Sequence, residues 1–594
     1  MQTKWNLDHI AKNVDDKKIE DSKKQAQEQI KEFVDKWAKD DSYLTDPTQL
    51  KKSLDDYSDL LDVKNELGDI PYYLYLKIEL NSEDKETTAK LKSVEESNNK
   101  ESNKMMFYVL NLSKIKEKDQ KIFLADKNLS SYWQFLKHIF KTAKYNLSEK
   151  EEQLFNLLRD PASSNWVDLT SKLISKEEVT IIDEDNKKVK IPVSQVSGYI
   201  DSQNKKTRDS AFNAYTKIAQ KYSEIAEHEF NSILQTKRVS DDLRKHSRGD
   251  ASRLISDDIE PAIIDALIQA VSENFSVVQD YYKFKAQLFN KKKLAYNERN
   301  LPLEAVNKKI KFEEAFDLVH KTFEQIDPEF ASIAQNLLDE GFIDVYPQKG
   351  KADGAYCIHN SLHSPIYVLL NYNDRLNDVT TIAHELGHAI NNVFMKKNRT
   401  PIDYGTPTGV AEVSSTFFED FVLEELTKKA DKKTQLALLI QKIDDSVSTI
   451  FRQISFYKFE QDLHKLHHEK SYVTKDEINA LYRKNMHECM GNSVQMPKKA
   501  DNLWVMVSHF RRMFYVYSYA SGLLISKSMQ SKFRKDKNFV KPLKQFLEAG
   551  YSKSTKQIFE DVGIDITQKE FWIQGIDQIK SEIAQAKALF KEIK

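Results

Sequence analysis

Apolar residues recur at helical spacing through most of the chain. Between Ile19 and Lys39 the apolar positions lie three and four residues apart among charged ones: Ile30, Phe33, Val34 and Trp37. That spacing places one apolar stripe on an otherwise solvated helix. The stretch from Asp258 to Leu288 has a similar pattern, with Pro261 near its start, where a helix tolerates proline. Both stretches are therefore predicted to be long amphipathic helices.

Patterns typical of β-strands are few and local. Val179–Ile182 and Val189–Val193 flank a polar turn and predict a hairpin. A second group comprises Phe342–Tyr346, Gly354–Ile358 and Ile366–Asn371, separated by turns that contain glycine or asparagine. We expect this group to form a small β-sheet immediately before the most informative segment of the chain.

The composition supports a folded, predominantly α-helical protein. Only 14 glycines and 13 prolines occur among 594 residues, and 40% of the residues are apolar, which favours long helices around a large core. The 90 basic and 91 acidic residues give a net charge of −1. Because no broad basic field exists, a partner of the nucleic-acid class is not expected.

Cysteine content and apolar segments indicate the compartment. Cys357 and Cys489 are the only cysteines, which suits a reducing environment rather than a disulfide scaffold. The first ten residues, MQTKWNLDHI, lack the apolar core of a signal peptide. The longest apolar stretch, Met513 to Ser526, is shorter than the roughly 20 residues that cross a bilayer. We therefore expect a cytoplasmic protein without a membrane partner, of unknown oligomeric state.

The motif that carries chemistry lies between Thr380 and Asn392, TTIAHELGHAINN. Asn377 or Asp378 can cap the N terminus of a helix there, and no proline follows before Pro401. The motif is therefore predicted to lie on a helix of about five turns.

Within this helix, the spacing HExxH predicts a metal site. His384 and His388 are four residues apart, so both imidazoles project from one face and can bind the same ion, for which neutral imidazole favours Zn²⁺. Glu385 lies about 100° around the helix, where it can reach a water molecule beside the metal and act as a general base. Chance occurrence of the motif on an ordinary helix is the alternative.

A third ligand is expected downstream. The extension that would supply another histidine is absent, because Asn391 and Phe394 occupy the required positions. A second helix, Val410 to Leu426, instead offers Glu412, which lies 24 residues past His388 in an apolar stretch. We predict Glu412 as the third ligand, although acidic residues on helices are usually only solvated.

Two further residues of that helix lie near the predicted ligand. Glu419 is two turns beyond Glu412 on the same face, and Ser415 lies between them. Glu419 is predicted to accept a hydrogen bond from an imidazole ligand and thereby orient it.

Four segments together resemble a known family. HELGHAIN, VAEVSSTFFE, KGKADGAYCIHNSLHSPIYVLLNYNDRLNDV and HFRRMFYVYSYASG are similar to the oligoendopeptidase F branch of the thimet oligopeptidase family of zinc peptidases, most specifically over residues 344–522. The resemblance implies a two-lobed helical ellipsoid with a deep central channel, one zinc ion and short unfolded peptides as substrates. It also implies the same ligands and general base as the spacing.

The resemblance gives a role to a segment near the C terminus. His509, Tyr515, Tyr517 and Tyr519 match the segment that faces the scissile carbonyl in the family, where an imidazole or a phenol can donate to the oxyanion. Residues two apart lie on different faces of a helix, so the three tyrosines cannot all serve. Which tyrosine acts is left open, since each is as readily a core aromatic.

The resemblance also indicates where a peptide binds. Gly354, Ala355 and Tyr356 are expected on a strand whose exposed edge pairs with the substrate backbone, which reads an extended chain without reading its sequence. His359 and His363 follow in a loop that lies near the cleft in the family, although both could be surface residues.

These expectations define two domains and one activity. Residues 1–200 are predicted to form an N-terminal helical lobe with the β-hairpin near 179–193, and residues 201–594 a catalytic zinc peptidase domain. The predicted function is that of a zinc-dependent oligoendopeptidase with Glu385 as base. The alternatives are a helical zinc carboxypeptidase and an inactive peptide-binding scaffold.

Overall fold

α-Helices dominate the structure, a computed structural model that describes residues 1–303 and 309–594. The fold is 72% helical with only small sheets, which confirms the predominantly α-helical prediction. Within the described part of the chain, no helix combines the length and the apolar character that crossing a membrane requires.

The helices of the first part of the chain follow one another with short connections. They are α1 (Asp16–Trp37), α2 (Pro47–Leu61), α3 (Ile70–Leu80), α4 (Lys85–Ser102), α5 (Met106–Leu112), α6 (Glu117–Phe123), α7 (Trp133–Thr142), α8 (Glu149–Arg159), α9 (Asn165–Ser175), α10 (Val196–Ile200), α11 (Lys205–Lys221), α12 (Ser223–Arg244), α13 (Ala251–Ser256), α14 (Pro261–Glu273) and α15 (Phe275–Leu288).

The second part of the chain continues the helical pattern. Its helices are α16 (Phe312–Ile326), α17 (Pro328–Asp339), α18 (Leu376–Asn398), α19 (Ala411–Lys428), α20 (Lys432–Ser446), α21 (Gln453–Lys470), α22 (Lys475–Met490), α23 (Tyr517–Lys535), α24 (Val540–Glu548), α25 (Thr555–Asp561) and α26 (Lys569–Ile593).

One predicted helix is divided in two. The stretch expected from Asp258 to Leu288 forms α14 and α15, which are separated at Asn274. The backbone of Asn274 leaves helical geometry, and its side-chain amide donates to the carbonyl of Ala270 at 2.9 Å. This local bond competes with the helical ladder, so the prediction of one continuous helix was wrong. The predicted start is confirmed, because Pro261 is the first residue of α14.

The strands are short and form three small sheets. They are β1 (Glu178–Ile182), β2 (Lys188–Pro192), β3 (Leu294–Ala295), β4 (Ile343–Asp344), β5 (Tyr356–Ile358), β6 (Tyr367–Leu369) and β7 (Val494–Gln495). β1 and β2 pair antiparallel as the predicted hairpin, with Glu178 opposite Pro192. β3 and β7 pair in parallel.

The third sheet is the one predicted ahead of the HExxH motif. Its order is β4-β6-β5, with β4 parallel and β5 antiparallel to β6. A buried ion pair fixes its end, because the ammonium group of Lys351 lies 2.6 Å from Oδ1 of Asp344 and donates to the carbonyl of Leu370 at 2.5 Å. Both β5 and β6 pack against α18, so the sheet supports the helix that carries the motif.

The chain divides into two compact units, each built from three stretches. Unit one comprises Met1–Glu149, Asn307–Leu426 and Met529–Ile564. Unit two comprises Lys150–Val306, Thr427–Ser528 and Asp565–Lys594. The division of the chain into domains at residue 200 stays a prediction, as do the two-lobed shape and its channel.

Each unit has its own helical core. In unit one, α18 packs against α16, α17 and α24. In unit two, α26 packs against α14 and α20, and α21 packs against α22. The HExxH helix therefore belongs to unit one, while the segment that carries His509 belongs to unit two.

Candidate metal centre

The HExxH motif lies in the middle of α18, as its sequence predicted. The helix begins at Leu376, two or three residues earlier than expected from a cap at Asn377 or Asp378. Asp378 lies inside the first turn, where its carboxylate accepts from the backbone N–H groups of Asn373 at 2.7 Å and Arg375 at 3.0 Å. The cap was therefore misplaced because this carboxylate reaches back to the residues before the helix.

His384, His388 and Glu412 bring three potential metal ligands together. One ligand atom from each lies within 4.8 Å of the other two. Oε2 of Glu412 is 3.4 Å from Nε2 of His384 and 3.6 Å from Nε2 of His388. Tetrahedral zinc with bonds of about 2.0–2.2 Å places its ligand atoms roughly 3.3–3.6 Å apart. The donor set and its spacing therefore fit a zinc ion.

Gly387 allows the two ligand-bearing helices to approach closely. A Cβ atom at this position would lie 2.7 Å from Cα of Ser415 and 3.1 Å from the carbonyl oxygen of Ser414. Both atoms belong to the backbone of α19 and cannot move aside alone. Since Glu412 is in the first turn of α19, this close contact brings its carboxylate to the imidazoles on α18.

Two residues of α19 hold the ligand side chains. Oε2 of Glu419 lies 2.9 Å from Nδ1 of His384, and the hydroxyl of Ser415 donates to Oε2 of Glu412 at 3.1 Å. A ring whose Nδ1–H donates to a carboxylate presents the lone pair of Nε2 on its other side. The structure thus places Glu419 and Ser415 where they can orient one imidazole and the carboxylate.

Burial and mutual contact shift the pKa of all three ligands. Burial lowers the pKa of His388 to about 4, which keeps this imidazole neutral. Burial opposes the ionised form of Glu412, but the hydrogen bond with His384 and the charges of both histidines lower its pKa to about 2. Burial also opposes a charge on His384, yet hydrogen bonds to Glu412 and Glu419 raise its pKa well above the usual value. Metal binding would release that proton.

Glu385 lies beside the ligands on the same helix and is 6% exposed. Burial raises the pKa of its carboxyl group to about 7, the charge of His384 opposes the rise, and a hydrogen bond from the backbone of Cys357 also opposes it. A carboxyl group with a pKa near neutrality can both accept and return a proton. Cys357 could not be chosen from the sequence, because it acts on Glu385 through its backbone and so leaves no side-chain signature.

The strand next to the motif has a free edge among the described residues. β5 pairs only with β6 in its sheet, and it starts at Tyr356 rather than at Gly354 as predicted. Gly354 has φ of +82°, a left-handed conformation typical of turns. Gly354 and Ala355 therefore precede the strand, and the phenol of Tyr356 donates to Oε2 of Glu79 at 2.6 Å.

The two histidines that follow β5 differ in their surroundings. His363 is exposed, with Nδ1 2.7 Å from Oδ1 of Asp62. His359 is largely buried, which lowers its pKa to about 4, and its ring contacts that of Tyr404 edge to face at 5.1 Å. The hydroxyl of Tyr404 is buried and has no hydrogen-bond partner among the described residues. The contact of Tyr404 with His359 could not be predicted from the sequence, because Tyr404 belongs to an ordinary turn sequence.

In unit two, His509, Tyr515 and Tyr519 form one cluster. Their ring centroids are 5.5 to 5.6 Å apart in all three pairs. Nδ1 of His509 forms a short hydrogen bond with the hydroxyl of Tyr515, which lies 3.2 Å from the hydroxyl of Tyr519. Tyr517 is separate, because it is fully buried and donates to Oδ2 of Asp257 at 2.6 Å. Tyr517 therefore lies apart from the cluster of His509, Tyr515 and Tyr519.

A strained turn precedes this cluster. Met513 and Phe514 have φ of +39° and +58°, a region that residues other than glycine seldom adopt. The backbone N–H of Phe514 donates to Oε1 of Glu460 at 2.8 Å, and Arg253 donates to the carbonyl of Arg512 at 3.0 Å. These bonds hold the chain that connects His509 to the tyrosines.

Two family models match the chain. The model described as peptidase family M3 matches residues 199–578, and the model described as oligopeptidase F matches residues 111–176. The first match alone covers well over half of the chain.

Individual relatives match along most of their length. The oligoendopeptidase F homolog of Borreliella burgdorferi is 26% identical over 556 residues, 91% of each chain. Oligopeptidase PepF of Bacillus subtilis is 26% identical over 492 residues, covering 81% of this chain and 72% of that protein.

Solved structures share the fold. A protein from Chlamydophila abortus aligns with a TM-score of 0.84 at 23% identity over 99% of this chain and 98% of its own. Oligoendopeptidase-F from Enterococcus faecium aligns with a TM-score of 0.74 at 16% identity over 98% of this chain and 100% of its own. At these identities the likeness establishes the fold.

Proposed function

The chain belongs to peptidase family M3, and we propose that it is a zinc-dependent oligoendopeptidase that hydrolyses internal bonds of short, unfolded peptides. Membership of the family makes it a peptidase. The observation that carries the zinc assignment is the convergence of His384, His388 and Glu412, whose ligand atoms lie within 4.8 Å of one another.

These three residues would hold one Zn²⁺ per chain. Three protein ligands are the number typical of catalytic zinc sites, whereas structural sites have four. When bound, the ion supplies an acidified water molecule and polarises the scissile carbonyl. Glu419 and Ser415 support this assignment, because they bind the two ligand side chains in the orientations that the ion needs.

Glu385 is proposed as the general base. It accepts the proton of the attacking water and then delivers that proton to the nitrogen of the leaving amine, so that one carboxyl group serves both steps. Its pKa of about 7 suits both transfers near neutral pH.

His509 and one of its two neighbouring tyrosines are proposed as donors to the oxyanion. This role comes from the resemblance of the segment to its family, and the cluster supports a choice between Tyr515 and Tyr519. A phenol or imidazole N–H that is already oriented can stabilise developing negative charge without further reorganisation.

The free edge of β5 is proposed to pair with the substrate backbone. Gly354, Ala355 and Tyr356 would contribute to this contact, with His359 and His363 beyond them. Pairing of this kind requires an extended peptide and reads little of its sequence, which supports unfolded peptides as the substrate class.

The two free cysteines suit a reducing cytoplasmic environment.

The proposal is tested by digesting a mixed peptide library with and without a zinc chelator and reading the products by mass spectrometry. We expect internal cleavage that the chelator abolishes and added zinc restores. Peptides amidated at the C terminus should be cleaved equally well. The matched control is Glu385→Gln, which should retain zinc and lose turnover by roughly 10²-fold or more.

Three other outcomes would contradict the proposal. Release of single C-terminal residues, blocked by amidation, would indicate a carboxypeptidase. Peptide binding without cleavage in the zinc-loaded protein would indicate a scaffold. Undiminished turnover by Glu385→Gln would remove the assigned base.

A further inference from the structure

Arg452, in unit two, carries a charge without a partner. Its guanidinium group makes no hydrogen bond or ion pair to any residue that the structure describes, and its Nε atom is buried. A guanidinium has five N–H donors and does not lose its proton in proteins. Each buried donor without an acceptor calls for an explanation, and an ion or water that completes the site is one of them.

Arg299 is a second arginine of unit two that lacks an ion-pair partner in the part of the chain that the structure describes. Its guanidinium carbon lies 3.9 Å from the ring centroid of Tyr296, and its hydrogen bond to the carbonyl of that residue is long, at 3.5 Å. Within the described residues it has no carboxylate at ion-pair distance. The ring face offers a weak attraction that does not neutralise the charge.

The two arginines bracket one group of aromatic residues. The hydroxyl of Tyr296, beneath Arg299, lies 3.5 Å from that of Tyr482. Tyr482 stacks on Phe456 with centroids 6.3 Å apart, and Arg452 lies 5.7 Å from the Phe456 centroid. Both arginines therefore adjoin the same cluster of aromatic side chains, in which the hydroxyls of Tyr296 and Tyr482 lie close together.

Nearby acidic groups are already engaged by other cations. Oδ2 of Asp444 lies 2.6 Å from the ammonium group of Lys285. Oε1 of Glu298 lies 3.1 Å from a guanidinium nitrogen of Arg208 and also binds Lys291.

Asp201 interacts electrostatically with Arg299. The same carboxylate also interacts with two further cations, Lys285 and Arg208. Burial raises the pKa of Asp201, while the charges of Arg299, Lys285 and Arg208 oppose the rise. No carboxylate in the described residues is left over for Arg452.

We infer that Arg299 and Arg452, with the hydroxyls of Tyr282 and Tyr482, bind a small inorganic anion of the chloride class. The hydroxyl of Tyr282 has no hydrogen-bond partner among the described residues, and its ring interacts with the charges of both arginines. Two like charges repel in a medium of low dielectric, and an anion between them converts that repulsion into attraction. Water would satisfy the donors but leave both charges unpaired.

The walls of the site favour a monatomic anion. Tyr282 is 4% exposed, Tyr482 is 2% exposed and Phe456 is 5% exposed. Because these rings are buried, a monatomic anion would disturb them less than a carboxylate that carries a peptide chain.

The site is linked to the proposed catalytic cluster. Burial and then the charges of Arg452 and Arg512 lower the pKa of His509, and an anion beside Arg452 would offset one of these charges. This consequence rests on the proposed function, whereas anion binding itself does not.

Thermal unfolding of the zinc-loaded protein tests the inference in solution. Chloride should replace gluconate at constant ionic strength, and the midpoint of the wild type should rise by roughly 1–3 °C and saturate. Arg452→Met should abolish the rise. The matched control is Arg238→Met, which removes an arginine bound only to the uncharged groups of Ser471 and Gln235. This variant should keep the rise of the midpoint with chloride.

Bromide soaked into crystals of the wild type provides a second test that needs no variant to fold. We expect an anomalous peak between the guanidinium groups of Arg299 and Arg452. A peak elsewhere, or water alone in this space, would overturn the inference, as would a chloride response that Arg452→Met retains.

Discussion

Nδ1 of His384 lies 2.9 Å from Oε2 of Glu419, on the side of the ring opposite the other ligands. The same ring directs Nε2 towards Glu412, 3.4 Å away. Glu419 thus orients the imidazole of His384. Glu412, on the same helix α19, would bind the same metal ion as that imidazole. The two helices define the site together.

The bond between His384 and Glu419 predicts a loss of metal affinity when it is removed. Glu419→Ala should weaken zinc binding by about 10- to 100-fold, because the imidazole loses the acceptor that fixes its tautomer and rotation. Glu419→Gln should lose less, since an amide oxygen still accepts. Competition with a fluorescent chelator measures the affinity. The control is Glu424→Ala, at another glutamate of α19, which breaks an ion pair with Arg534 of α23. This substitution should leave the zinc affinity unchanged.

The close contact at Gly387 predicts a coupled loss of stability and metal affinity. Gly387→Ala places a Cβ atom 2.7 Å from Cα of Ser415, so α18 and α19 must separate, at a cost of about 1–3 kcal/mol. Zinc affinity should fall by about tenfold, because Glu412 moves away with α19. Gly198→Ala is the control, because a Cβ atom at this other helical glycine meets no atom within 4 Å. Equal effects of both substitutions would refute the assigned role.

The separation of Tyr517 from the His509 cluster predicts different consequences for the tyrosines. The double variant Tyr515→Phe/Tyr519→Phe should lower kcat by roughly 10²-fold with little change in stability. Tyr517→Phe should instead destabilise the fold by about 1–3 kcal/mol, because it removes the hydrogen bond that the phenol donates to the buried Asp257 carboxylate. Steady-state kinetics and urea unfolding separate these outcomes. Full activity of the double variant would exclude both phenols as oxyanion donors.

Glu460 predicts a characteristic dependence of stability on pH. Burial raises its pKa to about 8, opposed by the hydrogen bond from Phe514 and the charge of Arg253. The folded protein therefore keeps a proton that the unfolded chain loses near its ordinary pKa of 4.5. Between these values folding takes up a proton, so stability falls as pH rises, by about 1.4 kcal/mol per pH unit.

Glu460→Gln removes this titration while keeping an acceptor for the backbone of Phe514. Urea unfolding at about pH 6 and about pH 8 should show the wild type losing on the order of 2 kcal/mol relative to the variant. In the difference between the two proteins, the contributions of the other titrating groups to the pH dependence of stability cancel. Parallel pH profiles would show that Glu460 is ionised throughout.

The sequence predicted best those relationships that one helix determines by itself. His384, Glu385 and His388 follow from helical spacing, since four residues return to the same face. Glu412 could be proposed because a second apolar helix followed at a suitable distance. The two histidines and this carboxylate do converge.

Relationships that depend on tertiary contacts were harder to predict. Spacing could not separate Tyr517 from its neighbours, because its partner Asp257 lies 260 residues away. Cys357 reaches Glu385 through its backbone, which every residue type possesses. The strand expected at Gly354 begins two residues later because that glycine adopts φ of +82°, a conformation that glycine permits but does not require.

His384, His388 and Glu412 are proposed to hold a single zinc ion. Anomalous diffraction measured on both sides of the zinc absorption edge, from crystals of protein purified without a chelator, tests this proposal most directly. We expect one peak per chain, about 2.0–2.2 Å from Nε2 of each histidine and from a carboxylate oxygen of Glu412. Zinc bound elsewhere on the chain, with no peak among these three residues, would contradict it.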